Sequence, residues 1–205
     1  PIPVEGRLPV VNACEYVKDS AISSVYVDNV AAATAAVDYL VTLGHRDIAF
    51  VAGPATSPIC VDREQGYRLA LQRANIPANP ALVAVGDFSI EAGERAVELL
   101  LSQGQSFSAV FCSNDEMAIG AMRALLSREL RIPEDVSVVG FDDIPMARFA
   151  NPALTTVYQN TQRAGELLVD SLLRQIRDEP VESQMIPASL IVRKSSGVVA
   201  EPAQP

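Results

Sequence analysis

The chain has 205 residues, 49% of them hydrophobic, which supports a real core in one large domain or two small lobes. Its net charge of -9, from 25 acidic against 16 basic residues, comes with no basic run, so nothing in it can neutralise a row of phosphates and direct nucleic-acid binding by this chain is not expected. The three cysteines, Cys14, Cys60 and Cys112, fit neither a disulfide framework nor a zinc site, which points to a reducing cytosol; no apolar stretch approaches the roughly 20 residues of a membrane span, and no apolar signal core follows a charged start.

The opening PIPVEGRLPVVNA reads as a proline-marked loop entering a strand from Pro9 to Ala13, as though from the middle of a domain. VYVD (25 to 28) leads into AAATAAVDYLVTLGH, where Ala32, Ala36, Tyr39, Leu40 and Leu43 recur at helical spacing before Gly44 stops the helix. DIAFVAG leads through GPATSP into an amphipathic helix bearing Arg63 and Tyr67. LVAVGDF precedes IEAGERAVELLLSQG, AVFCSND precedes EMAIGAMRALLSREL, and VSVVGFDD follows IPED. IAFVA, AVFC and VSVVG are apolar on both faces, which predicts an α/β fold: a doubly wound parallel sheet of about five strands in this stretch, joined by right-handed crossovers. TTVYQ precedes a helix from Arg163 to Arg177. The strands of QMIPASLIVRKSS have no helix after them and should return to existing sheet edges, and VVAEPAQP reads as a frayed tail.

Open parallel sheets bind ligands outside the carboxyl ends of their strands. Here those ends deliver GPATSPICVDR, GDF, SND and FDD, and with them Arg63, Phe88, Asn114 with Asp115, and Asp142 with Asp143. A five-donor cation, an amide, carboxylates and an aromatic face suit a small polar ligand such as a sugar or nucleoside. Arg63 stands at a helix start, where the backbone dipole disfavours a cation, so ligand oxygens and Asp142 are its expected counterweights. Structural roles stay open beside these: Asn114 as a helix cap, Asp115 as a first-turn acid, Asp142 and Asp143 as a solvated turn, Phe88 as core.

Enzyme readings lack parts. The single histidine, His45, follows Gly44 at a helix end, where it is expected to cap carbonyls, and no serine, histidine and acid set can be built without it. There is no GxGxxG and no GxxxxGK[ST]; the carboxylates have no lysine at a strand end to hold a phosphate; and Cys60 reads as a packed small hydrophobe. The expectation is a binding module with no catalytic residue, cofactor or metal.

The ordered segments VYVDNVAAATAAVDYLVTLGHRDIAFVAGP, REQGY, GDF, VFCSNDEMAIGAM, IPEDVSVVGFDDI and NPALTTVYQ resemble the LacI/GalR family of bacterial transcription repressors over nearly the whole chain. GPATSPICVDREQGY, GDFSIEAG and AVFCSNDEMAIGA look most similar to its cytidine-responsive members, with purine-responsive members next. The resemblance implies the type I periplasmic-binding-protein fold: two doubly wound lobes crossed by three strands and closing on an effector. Residues 1–28 and 158–187 would form an incomplete N-terminal lobe, and 29–157 with 188–198 the C-terminal lobe, followed by a tail over 199–205. The crossovers are expected near Asp28, Val157 and Ala188.

Carried over, Asn12, Ser57, Arg63, Phe88, Asn114, Asp142 and Gln159 would line the effector site, with Phe88 stacking on a sugar or base. Ser57 stands where purine-responsive members carry an arginine reaching the base, a departure that argues against a purine corepressor. The resemblance further implies a cytoplasmic homodimer, to which Ile119 and Met122 on MAIGAMRALL are candidate contributors, although packing within the lobe explains them as well. Operator DNA would be bound only through a headpiece not among these residues, with no membrane partner, and the effector would be a nucleoside such as cytidine. Two rivals are a periplasmic sugar or nucleoside binding protein of a transporter, and a nucleoside hydrolase on a doubly wound fold.

Overall fold

The computed structural model describes residues 8–14 and 20–199. The start of the opening loop (1–7) and most of the expected tail (200–205) lie outside the described residues, as do residues 15–19.

In chain order the elements are β1 (Asn12–Cys14), β2 (Ser24–Val27), α1 (Asn29–Thr42), β3 (Ile48–Ala52), α2 (Pro58–Arg73), a 3-10 turn (Pro80–Leu82), β4 (Val83–Val85), α3 (Ile90–Ser102) and β5 (Ala109–Cys112). They continue with α4 (Asp115–Ser127), β6 (Ser137–Asp142), α5 (Pro145–Phe149), β7 (Thr155–Gln159), α6 (Thr161–Ile176), β8 (Gln184–Ile186) and β9 (Ala188–Ile191). The chain divides into two compact units, one holding the described residues through Asp28 together with Gln159–Ala188, the other holding Asn29–Tyr158 and the residues from Ser189 onward.

The larger unit is built on a six-stranded sheet in the order β4-β3-β5-β6-β7-β9, parallel from β4 through β7. VYVD, which opens the regular alternation in the sequence, is not in it. That segment is β2 and pairs with β1 and β8 in the smaller unit, so β7 is the fifth parallel strand instead. Every residue of IAFVA and AVFC is buried, because helices cover both faces and a strand's alternate side chains each find a core. On one face Phe50 stacks between Tyr67 and Phe111, at centroid distances of 4.9 and 5.5 Å. On the other, Ala49, Val51, Val110 and Cys112 join Val97, Leu100, Met117 and Leu125.

Local chemistry sets the helix ends. Ser89 caps α3, Asn114 caps α4 and Asn160 caps α6, each side chain accepting from a backbone N–H of the first turn. Gly44, at φ +96, ends α1, and the His45 N–H bonds back to the Leu40 carbonyl at 3.2 Å. The His45 ring does not cap α1. It is buried, its Nε2–H donates to the Gly197 carbonyl at 3.0 Å and its Nδ1 meets Ser108 Oγ at 2.9 Å, so its structural role is to hold the C-terminal stretch. Burial lowers its pKa and keeps the ring neutral, which fits Nε2 carrying the proton. α3 and α4 approach so closely that a methyl group on Gly120 would meet the Ile90 carbonyl, and one on Gly93 the Met117 backbone.

The smaller unit is a three-stranded parallel sheet, β1-β2-β8, with α6 packed on it. Gln175 on α6 pairs with the backbone of Val10, accepting from its N–H at 2.8 Å and donating to its carbonyl at 3.0 Å. Each late strand thus joins a sheet edge, β8 beside β2 and β9 beside β7.

Candidate effector site

The parallel register brings the carboxyl ends of β3, β4, β5 and β6 to one edge of the larger unit. α2 starts there with Pro58 at its first position, where the missing N–H costs nothing, and delivers Arg63 one turn later. The Arg63 side chain is 3% exposed. Its Nε–H donates to Asn29 Oδ1 at 2.9 Å, an Nη1–H to the Ser113 carbonyl at 2.5 Å, and Nη2 lies 3.4 Å from Asp142 Oδ1. The guanidinium carbon sits 3.6 Å above the centre of the Phe141 ring. Burial pulls its pKa down and the Asp142 carboxylate opposes this, so a cation in this position depends on that partner.

Phe88 follows β4 with its backbone in the left-handed region, φ +73. Its ring lies against Gly53 beside the buried Cys60 sulfur, where any β-carbon on residue 53 would collide with both. Asn114 Nδ2 donates to the Phe88 carbonyl at 3.0 Å while its Oδ1 caps α4 by accepting from the Met117 N–H at 3.0 Å.

The β6 end carries Asp142 at φ +114 and Asp143 at φ +52. The Asp143 side chain is buried and paired with Arg193 at 2.6 Å and Arg148 at 3.5 Å, so its carboxylate is not that of a solvated turn. Asp115 is fully buried; it accepts from Thr156 Oγ1 at 2.5 Å and from the Ile144 N–H at 2.9 Å. Burial, aided by the charges of Asp142 and Asp143, pushes its pKa up to about 7 against the pull of those two hydrogen bonds.

Arg63 therefore meets Asp142 directly and Asn114 meets Phe88 directly. Ser57 occupies the N-cap position of α2, half-buried, without a side-chain capping bond. Asn12, on β1, and Gln159, the last residue of β7, belong to the smaller unit; Asn12 Nδ2 lies 3.4 Å from Ser24 Oγ. On α4, Met122 is buried in the core and Ile119 is half-buried against it. Sequence reasoning missed the groups that surround Arg63: Asn29, Ser113 and Phe141. The last two stand beside Asn114 and Asp142 in SND and FDD, so the signal was in the motifs already singled out. No three His, Cys, Asp or Glu side chains among the described residues form a group able to hold a metal ion, and no helix among them is long and apolar enough to cross a membrane.

The sequence profile of the periplasmic binding protein-like domain matches residues 37–196. The HTH-type transcriptional repressor CytR of Escherichia coli (strain K12) is 40% identical over 190 residues, which is 92% of this chain and 56% of that protein. A sugar-binding LacI-family transcriptional regulator from Escherichia coli, solved with phosphate, superposes with a TM-score of 0.85 at 35% identity, covering 94% of this chain and 69% of that one. This chain belongs to the LacI family of transcription regulators. The complex of the transcriptional regulator CelR with cellobiose has the same architecture, at a TM-score of 0.86 and 35% identity over 90% of this chain and 58% of that one. The LacI-family chain spans little more than half the length of the curated relatives it matches.

Proposed function

We propose that this chain is the effector-sensing region of a cytoplasmic LacI-type repressor. A small ligand held by Arg63, Phe88, Asn114 and Asp142, with Asn12, Ser57 and Gln159 as further proposed contacts, changes the affinity of the whole homodimeric protein for operator DNA. The observation that carries this reading is the buried Arg63 paired with the partly exposed Asp142 at the carboxyl edge of the sheet, with the Phe88 backbone held close by Asn114. A buried cation balanced by a carboxylate that is itself partly exposed is a polar anchor able to share acceptors with ligand hydroxyls, and Phe88 offers a ring for a base or sugar to stack on. Coupling to DNA then requires only that ligand favour one of two arrangements of the protein.

A nucleoside such as cytidine is the effector the residues favour: the segments around Arg63, Phe88 and Asn114 resemble cytidine-responsive repressors, and CytR is 40% identical. The cellobiose complex of CelR supports a sugar as the second choice. Ile119, on the half-buried flank of α4, is the better candidate for a dimer contact, because Met122 is committed to the core.

The test is calorimetry with a thermal-shift panel on the full-length protein, using cytidine, uridine, purine bases and hexoses. Pyrimidine nucleosides at 100 times their Kd should add about 2.7 kcal/mol of stability. A hexose that stabilises the protein while both nucleosides leave it unchanged replaces the nucleoside with a sugar; turnover of a nucleoside during the incubation overturns the repressor reading.

A further inference from the structure

We infer that Asn114, beside its ligand contact, and Asp115, the cap and first residue of α4, are positioning residues that fix the two loops carrying Phe88 and Asp142, so that α4 sets the shape of the effector site. The inference rests on the effector reading above.

Three residues with side chains hold left-handed backbones at this edge of the sheet: Phe88 at φ +73, Asp142 at φ +114 and Asp143 at φ +52. Asp visits this region with some ease, but a bulky aromatic there is an outlier that persists only where its surroundings hold it. Two adjacent residues do the holding on both sides. Asn114 Oδ1 is fixed on the Met117 N–H, which turns Nδ2 toward the Phe88 carbonyl. Asp115 reaches the other way, one oxygen on the Ile144 N–H directly after Asp142 and Asp143, the other on Thr156 of β7.

A cap alone would need only Oδ1 of Asn114, and a first-turn acid would need no partner in another loop. The second half of the amide and both carboxylate oxygens are instead used on loops 26 and 29 residues away in the chain, and on a strand 41 residues away. The fit beneath is closed as well. A β-carbon on Gly140 would collide with Asp115 Oδ1, and the Gly93–Gly120 approach seats α4 against α3. The two loops are therefore referenced to one rigid element, and a shift of its first turn moves Phe88 and Asp142 together.

The experiment labels the full-length protein with 4-fluorophenylalanine, assigns Phe88 through Phe88→Leu, and uses cytidine as the ligand probe. Asn114→Ser keeps a capping oxygen but is too short to reach the Phe88 carbonyl. It should move or broaden the Phe88 fluorine resonance and weaken cytidine binding about tenfold, with the other fluorine signals in place. Asp115→Ala should weaken binding similarly, and the isosteric Asp115→Asn should restore it. A double-mutant cycle needs no ligand: with Phe88→Gly, whose backbone adopts positive φ freely, Asn114→Ser should lower the thermal midpoint less than it does beside Phe88. An unmoved Phe88 resonance, or an equal loss of midpoint in both backgrounds, overturns the Asn114 half. Asp115→Asn as damaging as Asp115→Ala overturns the other half. If wild-type protein binds no member of the ligand panel, the effector reading fails, and the resonance and the cycle still decide the clamp.

Discussion

The two units differ in how far each buries its own secondary structure. In the larger, β3 and β5 have no residue outside the core, and helices cover both faces of the sheet. In the smaller, two of the three residues of β1 are exposed, and α6 buries only Ala164 and Ser171 while Val169 and Ile176 stand 58% and 64% exposed. An apolar helix face left in water stabilises nothing, so among the described residues the exposed face of α6 adds little to stability. The Arg63 constellation sits beside strands buried along their whole length, and Asn12 on a strand whose other two residues are exposed.

That contrast can be broken or sharpened by experiment. The largest effect is expected for Arg63→Ala, which removes the partner of Asp142 and the donors to Asn29 and Ser113 from a buried site; urea denaturation should show a loss of about 3–5 kcal/mol together with loss of effector response. Arg63→Lys should lose less stability, because the charge remains while the planar fork over Phe141 is gone. Gly120→Val forces side-chain atoms into the Ile90 carbonyl and should cost about 3 kcal/mol by the same assay.

Next comes a pH dependence. With its folded pKa raised to about 7, Asp115 binds its proton more tightly in the folded chain than in the unfolded one. Its contribution to stability is therefore fully present below the unfolded value, near 3.9, and is lost as pH rises to about 7, with on the order of 2 kcal/mol of that loss falling between about pH 5 and 7. Asp115→Asn, which resembles the protonated acid, should flatten thermal midpoints measured from pH 5 to 8. Asp135, held down to about 2 by Arg131, acts in the opposite sense and only in acid, so the two windows do not overlap. The smallest effect is expected in the smaller unit: in this 205-residue chain Ile176→Ser should change stability by less than about 0.5 kcal/mol, and a loss above about 2 kcal/mol would erase the contrast.

Much of the larger unit was legible because its signals are local. Apolar runs read as buried strands, and Gly44 and Pro58 mark helix ends where the structure has them. The face of α1 was read slightly off. Ala33, Ala36, Val37 and Leu40 are buried, and Tyr39 lies half-buried, its hydroxyl 3.1 Å from Ser196 Oγ. Membership of β2 in a separate sheet was not visible from periodicity, since a four-residue strand carries no label for its neighbours. At the site, the residue types were legible and their partners were not. Asp115 looked like an ordinary first-turn acid, and its attachment to Ile144 and Thr156 depends on tertiary contacts with no sequence spacing. Arg63 could be placed at the edge of the sheet, but its cage of Asn29, Ser113 and Phe141 makes it a structural residue as well as a candidate ligand contact.

The stretch after β9 has one more implication. Ser195 Oγ donates to the Val138 carbonyl at 2.6 Å and accepts from the Thr155 N–H at 2.8 Å, and Gly197 meets His45 across 152 residues. A chain leaving the ribosome makes β3 through β6 early, yet the groups that seal their edge are among the last of these residues to be synthesised. Since domains tend to fold as units during synthesis, the larger unit must wait, partly assembled, for its own C-terminal hydroxyls. A nascent chain that stops before Ser195 therefore leaves the Val138 carbonyl and the Thr155 N–H without these partners.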